Sequence, residues 1–119
     1  VVERALTIFD ELLIGIVANP AKEPLFTVAE RQALIEETFR PYGKRVVVLG
    51  FSGLLVDFLR REQVRVVIRG LRAISDYDYE TQMALMNKSL ASDVETFFLP
   101  TREKFSYVSS TLVKQVAKL

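Results

Sequence analysis

Arg69 and Arg72 stand three apart around Gly70 in the stretch RGLR, directly after the apolar run Val64–Ile68. An arginine offers a planar fork of donors that matches the oxygens of a phosphate or carboxylate. Three other places carry matching chemistry. Lys22 sits between Pro20 and Pro24, Ser52 and Gly53 follow a second apolar run, and Lys104 precedes the hydroxyl series Ser106, Ser109, Ser110 and Thr111. Cations, a glycine and free N–H groups at a helix start are what binds phosphate. Each piece also has a plain structural role. Lys22 suits an exposed loop. The two arginines suit a salt network with Asp76, Asp78 and Glu80. The hydroxyls suit a helix cap, and Tyr77, Tyr79, Met83 and Met86 suit a core. The case for a site rests on their sharing one location.

The chemistry available is narrow. The chain has no histidine and no cysteine, which excludes a Ser-His-Asp triad, a thiol nucleophile and the common zinc ligands. Neither G-x-x-x-x-G-K-[ST] nor G-x-G-x-x-G occurs. What remains is catalysis by positioning and by stabilising negative charge with Lys and Arg. Transfer of a nucleotidyl group between two phosphates suits these tools, because the incoming phosphate is already a charged nucleophile and needs no base.

The elements that must place these residues alternate. Residues 1–10 read as the end of a helix through Val2, Ala5, Leu6 and Phe9. Residues 12–18 read as a strand buried on both faces, followed by the loop 19–24. Thr27 and Glu30 form a capping box for a helix to Arg40, with Ala33, Leu34 and Phe39 on its apolar side. Residues 46–51 make a second strand, and Ser52 caps a short helix through Leu55, Phe58 and Leu59 that ends on Arg60 and Arg61. Residues 64–69 make the third strand. Ser75 and Asp78 predict a second capping box, and Asp76 is placed to steady an arginine or the helix dipole. Tyr79, Met83, Met86 and Leu90 predict the buried stripe of that helix. Residues 95–100 make a fourth strand, and Ser109, Ser110 and Thr111 open a last helix with Leu112, Val113, Val116 and Ala117 on its apolar face.

Strands spaced by helices imply an α/β fold with a Rossmann-like parallel sheet and helices on both faces. In such a sheet ligands bind beyond the carboxyl ends of the strands, where all four groups of phosphate-binding residues fall. The chain of 119 residues, half of them hydrophobic, fits one globular domain. Its 16 basic and 15 acidic residues give a net charge of +1, so there is no general attraction to nucleic acid. No apolar run approaches the roughly 18 residues of a membrane span, and the expected setting is cytoplasmic.

Four segments carry a resemblance: ANPAKEPLFTVAER (18–31), VVIRGLRAISDYDYE (66–80), MALMNKSL (83–90) and FSYVSSTLVKQVA (105–117). Together they resemble bacterial phosphopantetheine adenylyltransferases. The IRGLR and VSST segments are specific, and the similarity covers nearly the whole chain. The resemblance implies a nucleotidyltransferase-type fold and a homohexamer. It implies transfer of the AMP of ATP to 4′-phosphopantetheine with Mg²⁺, giving dephospho-coenzyme A and pyrophosphate in the penultimate step of coenzyme A synthesis. By matching motif, Lys22 and Arg69 hold the phosphopantetheine phosphate and support the transition state, and Leu55 contacts the pantetheine arm. Gly70, Leu71, Arg72 and Glu80 contact ATP, as do Phe105, Ser106, Tyr107, Val108, Ser109, Ser110 and Thr111.

The sequence departs from the family at both ends. An N-terminal strand with a Thr-x-Gly-His motif and a C-terminal helical segment do not occur in residues 1–119, which otherwise form a single nucleotidyltransferase domain. The resemblance implies that this chain alone retains little or no turnover and folds poorly, since that strand is central in the family's sheet. Two other readings remain: a related transferase acting on another phosphate acceptor, such as nicotinamide mononucleotide or glycerol phosphate, and a non-catalytic nucleotide-binding module.

Overall fold

A computed structural model describes residues 1–18 and 24–119, without the side chains of Ile74, Ser75 and Glu103. Among these described residues, five α-helices and four strands alternate as expected for an α/β chain: α1 Val2–Ala5, β1 Leu12–Val17, α2 Val28–Thr38, β2 Val46–Phe51, α3 Leu55–Arg61, β3 Val66–Leu71, α4 Ile74–Leu90, β4 Glu95–Pro100 and α5 Ser110–Ala117. The strands form two parallel pairs, β1 with β2 and β3 with β4. The chain divides into two compact units, Val2–Leu54 and Leu55–Leu119, the second also including Val1.

In the first unit, β1 and β2 run in register from Leu12 opposite Val46 to Val17 opposite Phe51. The helix expected over residues 1–10 is shorter, and turns follow it. Arg45 ties that segment to the start of β2. Its guanidinium donates to the carbonyls of Leu6 at 2.6 Å, Asp10 at 3.0 Å and Phe9 at 3.4 Å, all in the segment that follows the helix. The capping box of α2 is present: Thr27 Oγ1 accepts from Glu30 N at 3.1 Å, and Glu30 Oε2 accepts from Thr27 N at 3.3 Å. α2 packs on β1 and β2. Its inward stripe is Val28, Arg31, Gln32, Ile35 and Phe39, while Ala33 and Leu34 are exposed. Gln32 faces the strands because its amide donates to the Val48 carbonyl at 3.2 Å. The strands are not buried on both faces. Ile16 and Val48 are buried, but Val17 and Val47 are exposed, as one covered face requires of side chains that alternate.

In the second unit, the core is Val56, Leu59, Ala91 and Val94, with Leu55, Val64 and Val67 packed against it. α3 begins at Leu55, three residues after Ser52, so Ser52 is not its cap. β3 runs from Val66 to Leu71, so it starts and ends two residues later than the expected strand 64–69. Backbone pairing with β4 holds Arg69 opposite Phe98, Gly70 opposite Leu99 and Leu71 opposite Pro100. α4 starts at Ile74 with Ala73 at its N-cap, and no side chain caps it. Ser75 therefore lies inside the helix and not at the N-cap, where the expected capping box would need it. The stripe expected to be buried is exposed: Tyr79, Met83, Met86 and Leu90 all face outward. The inward face is rotated by one residue, to Glu80, Ala84, Asn87 and Ala91. Glu80 belongs there because Arg69 of β3 binds it. α5 is capped by Ser109, whose Oγ accepts from Leu112 N at 3.1 Å. Its apolar residues Leu112, Val113 and Val116 are exposed, contrary to the expected packed face.

Candidate functional site

The parallel register of β3 and β4 delivers both carboxyl ends to one place. Leu71 pairs with Pro100, and the Thr101 N–H donates to the Leu71 carbonyl at 2.7 Å. Arg72 leaves the first strand there, and the segment 101–111 leaves the second. Arg72 joins them. Its backbone N–H donates to Asp76 Oδ2 at 3.0 Å, its Nε to the same oxygen at 3.2 Å, and its Nη2 to Asp76 Oδ1 at 3.3 Å. Its Nη1 donates to the Val108 carbonyl at 2.9 Å. The Arg72 guanidinium, with the Arg72 backbone N–H next in weight, holds the Asp76 carboxyl below the ordinary aspartate range. The expectation that Asp76 steadies an arginine is met.

Arg69 lies three residues earlier, inside β3. It grips Glu80 of α4 through a fork, Nε to Oε2 at 2.8 Å and Nη2 to Oε1 at 2.7 Å. The Glu80 side chain is only 12% exposed, whereas that of Arg69 is 52% exposed. The bond to Glu80 raises the Arg69 guanidinium above its ordinary pKa, against a smaller opposing effect of burial. Sequence reading separated these two residues, one for each substrate. Here they are partners, and the exposed half of the guanidinium is what remains open to an anion.

The segment after β4 is exposed through Phe105, Ser106, Tyr107 and Val108. Lys104 Nζ lies 4.9 Å from the centre of the Phe105 ring, a cation–π contact. Ser109 is committed as the α5 cap, and Ser110 and Thr111 occupy the exposed first turn. Gly70 and Leu71 are strand residues, not loop residues. A Cβ built on Gly70 would meet Val1 Cγ2 at 2.8 Å, so the glycine permits close approach on this strand. Leu55 packs against the core of its unit. Lys22 lies outside the described residues.

In the other unit, Gly53 follows β2 with φ +84°, a turn conformation that favours glycine. A groove of about 310 Å³ lined by Glu36, Phe39, Arg40, Gly43 and Val46–Val48 lies on the amino-terminal half of β2, away from Ser52 and Gly53. Sequence reasoning did not find the Val108 carbonyl as a partner of Arg72. A backbone acceptor leaves no trace in residue type, although the Arg72–Asp76 spacing of four was visible.

Among the described residues, no group of three or more acidic side chains is placed to hold a metal ion. Asp76 and Glu80 are each taken by an arginine. Among the described residues no helix is long and apolar enough to cross a membrane.

The profile of the cytidylyltransferase-like family matches residues 1–116. The phosphopantetheine adenylyltransferase of Alkaliphilus metalliredigens is 50% identical over 118 residues, covering 99% of this chain and 74% of that protein. That of Clostridium tetani is 49% identical over 117 residues, covering 98% of this chain and 72% of that protein. That of Moorella thermoacetica is 47% identical over 119 residues, covering 100% of this chain and 74% of that protein. With an α/β chain of parallel strands, arginines and hydroxyls at one pair of strand ends, and matches of this extent, the chain belongs to the phosphopantetheine adenylyltransferase family of cytidylyltransferase-like nucleotidyltransferases.

Proposed function

We propose that this protein transfers the adenylyl group of ATP to 4′-phosphopantetheine, giving dephospho-coenzyme A and pyrophosphate. An oxygen of the acceptor phosphate attacks the α-phosphorus of ATP, the bond to the β-phosphate breaks, and pyrophosphate leaves. No proton has to be removed from the nucleophile, because the acceptor phosphate is already charged. The charge that develops on the phosphoryl oxygens needs cations in fixed positions.

The observation that carries this reading is Arg72. It ties the residue that follows β3 to the Val108 carbonyl just before α5, on the side of the strands where a parallel α/β fold binds ligands. In the proposed assignment Arg72, Gly70, Leu71 and the segment from Phe105 to Thr111 hold ATP. Arg69 and Lys22 hold the acceptor phosphate, and Leu55 lies along the pantetheine arm. Glu80 belongs with the ATP contacts in the same assignment, and its carboxylate also orients Arg69. Mg²⁺ enters as the MgATP complex. A cytoplasmic homohexamer belongs to the same reading.

The test is an assay of the protein expressed from its complete reading frame, with MgATP and one acceptor at a time. Dephospho-coenzyme A and pyrophosphate are expected in equal amounts from phosphopantetheine. Product from nicotinamide mononucleotide or glycerol phosphate, with none from phosphopantetheine, would move the protein to another acceptor. Nucleotide binding without product from any acceptor would make it a binding module.

A further inference from the structure

The Arg72 guanidinium has five N–H donors. One on Nε and one on Nη2 go to Asp76, and one on Nη1 goes to the Val108 carbonyl. The other two are left to meet a ligand. Asp76 sits in the first turn of α4 and takes the Arg72 backbone N–H as well, so it fixes both ends of that residue. An exposed pair four residues apart contributes little as a lone ion pair. Three contacts that lock a fork in one orientation do something different: they decide where its remaining donors point. The Val108 carbonyl is one residue from Ser109, the cap of α5. Holding it orients the start of that helix, including the N–H groups and hydroxyls of Ser110 and Thr111.

We infer that Asp76 is a positioning residue of the nucleotide site, acting through Arg72 to hold the 105–111 segment and the start of α5 in place. The inference rests on the reading that Arg72 and this segment bind ATP. Asp76 itself touches no substrate. Its loss therefore weakens ATP binding through the disorder of Arg72 and leaves the acceptor side alone.

The variants are Asp76→Ala and Asp76→Asn, with Asp93→Ala as the control. Asp93 pairs with Arg65 at 3.9 Å elsewhere in the same unit. In the protein from the complete reading frame, Asp76→Ala is expected to raise the KM for ATP by about tenfold, while the KM for phosphopantetheine and kcat change by less than about threefold. Asp76→Asn keeps one acceptor oxygen and is expected to show a smaller rise. Amide hydrogen exchange at Leu112 and Val113 should quicken severalfold in Asp76→Ala, because their N–H groups bond to Ser109. Asp93→Ala should move none of these quantities. An ATP KM within twofold of the unchanged protein in Asp76→Ala overturns the inference, and so does unchanged exchange at Leu112 and Val113. If Asp76→Ala fails to fold, Asp76→Asn carries the same comparison. Should the unchanged protein make no dephospho-coenzyme A, the proposed function fails, and the exchange measurement alone decides whether Asp76 holds the segment.

Discussion

Arg45 and Arg69 are the same residue type in the two units of the chain, and they differ in what they hold. Arg45 donates to three backbone carbonyls, at Leu6, Phe9 and Asp10. Arg69 donates to the two oxygens of one carboxylate, at Glu80. The carbonyls are fixed in the chain, so Arg45 stitches one segment to another, and an incoming anion has nothing equivalent to replace. A carboxylate presents the same paired oxygens as a phosphate. An arginine held this way is already oriented as a fork and can share its exposed donors with a second oxyanion. Arg72 combines both modes, with a carboxylate on one side and a carbonyl on the other. Partner chemistry, together with position at the end of a strand, separates the arginine that builds the fold from the arginine that builds the site.

The largest effect should come from breaking the second kind. Arg69→Ala is expected to lower kcat for adenylyl transfer by about a hundredfold or more, the scale of losing one oriented donor at a developing charge. Arg69→Lys should recover only part of that, since a lysine cannot form the fork. Arg45→Ala in the same assay should leave kcat within about twofold, because in this reading it only holds the chain. Equal losses in Arg69→Ala and Arg45→Ala would erase the distinction between them.

Next in size is the reverse comparison, made in stability. Arg45→Ala leaves the Leu6 and Asp10 carbonyls without their partner. It should lower the free energy of unfolding by about 1–3 kcal/mol, read from the urea midpoint at constant slope. A smaller cost should follow from Thr27→Ala, about 1 kcal/mol for a lost N-cap. Both residues serve the β1–β2 unit without entering the proposed chemistry. If either variant raised the KM for a substrate severalfold with no change in the urea midpoint, that unit's polar contacts would have to be counted in the site.

The same contrast separates what residue types signal from what only contacts decide. β1, β2 and β4 are legible because a short apolar run ends in a proline, glycine or charge, and Thr27 with Glu30 announces α2 by a local bond. Ser109 announces α5 in the same way. The third strand is misjudged by two residues because Arg69 and Gly70 look like its end. Backbone pairing with Phe98 and Leu99 carries it on, and pairing across strands has no signal in one strand's residue types. Ser75 with Asp78 has the spacing of a capping box, but α4 begins at Ile74, where the bonds of Asp76 to Arg72 set the start. The outward turn of Tyr79, Met83 and Met86 is missed for a related reason. Apolar periodicity finds the greasy stripe of a helix, while an ion pair from Glu80 to Arg69 decides which stripe faces the strands.

The smallest expected effect is a null over most of the pH range, and it tests the Arg72–Asp76 contact most directly. Arg72 holds the Asp76 carboxyl below the ordinary aspartate value, first through its side-chain bonds and then through its backbone N–H. A folded-state pKa that is depressed contributes stability in full above the unfolded value, near 4. That contribution is lost only as pH falls through the depressed value. Between about pH 5 and pH 9 the contact should therefore stay constant, and the KM for ATP should not change through Asp76. A carboxyl carbon titration followed by NMR should place the Asp76 midpoint below that of aspartate in a short peptide. In Arg72→Ala the midpoint should rise into the ordinary range. A midpoint that does not move when Arg72 is removed would mean that the arginine is not what holds the carboxylate, and the contrast with Arg45, whose three acceptors carry no proton to exchange, would then rest on Arg69 and Glu80 alone.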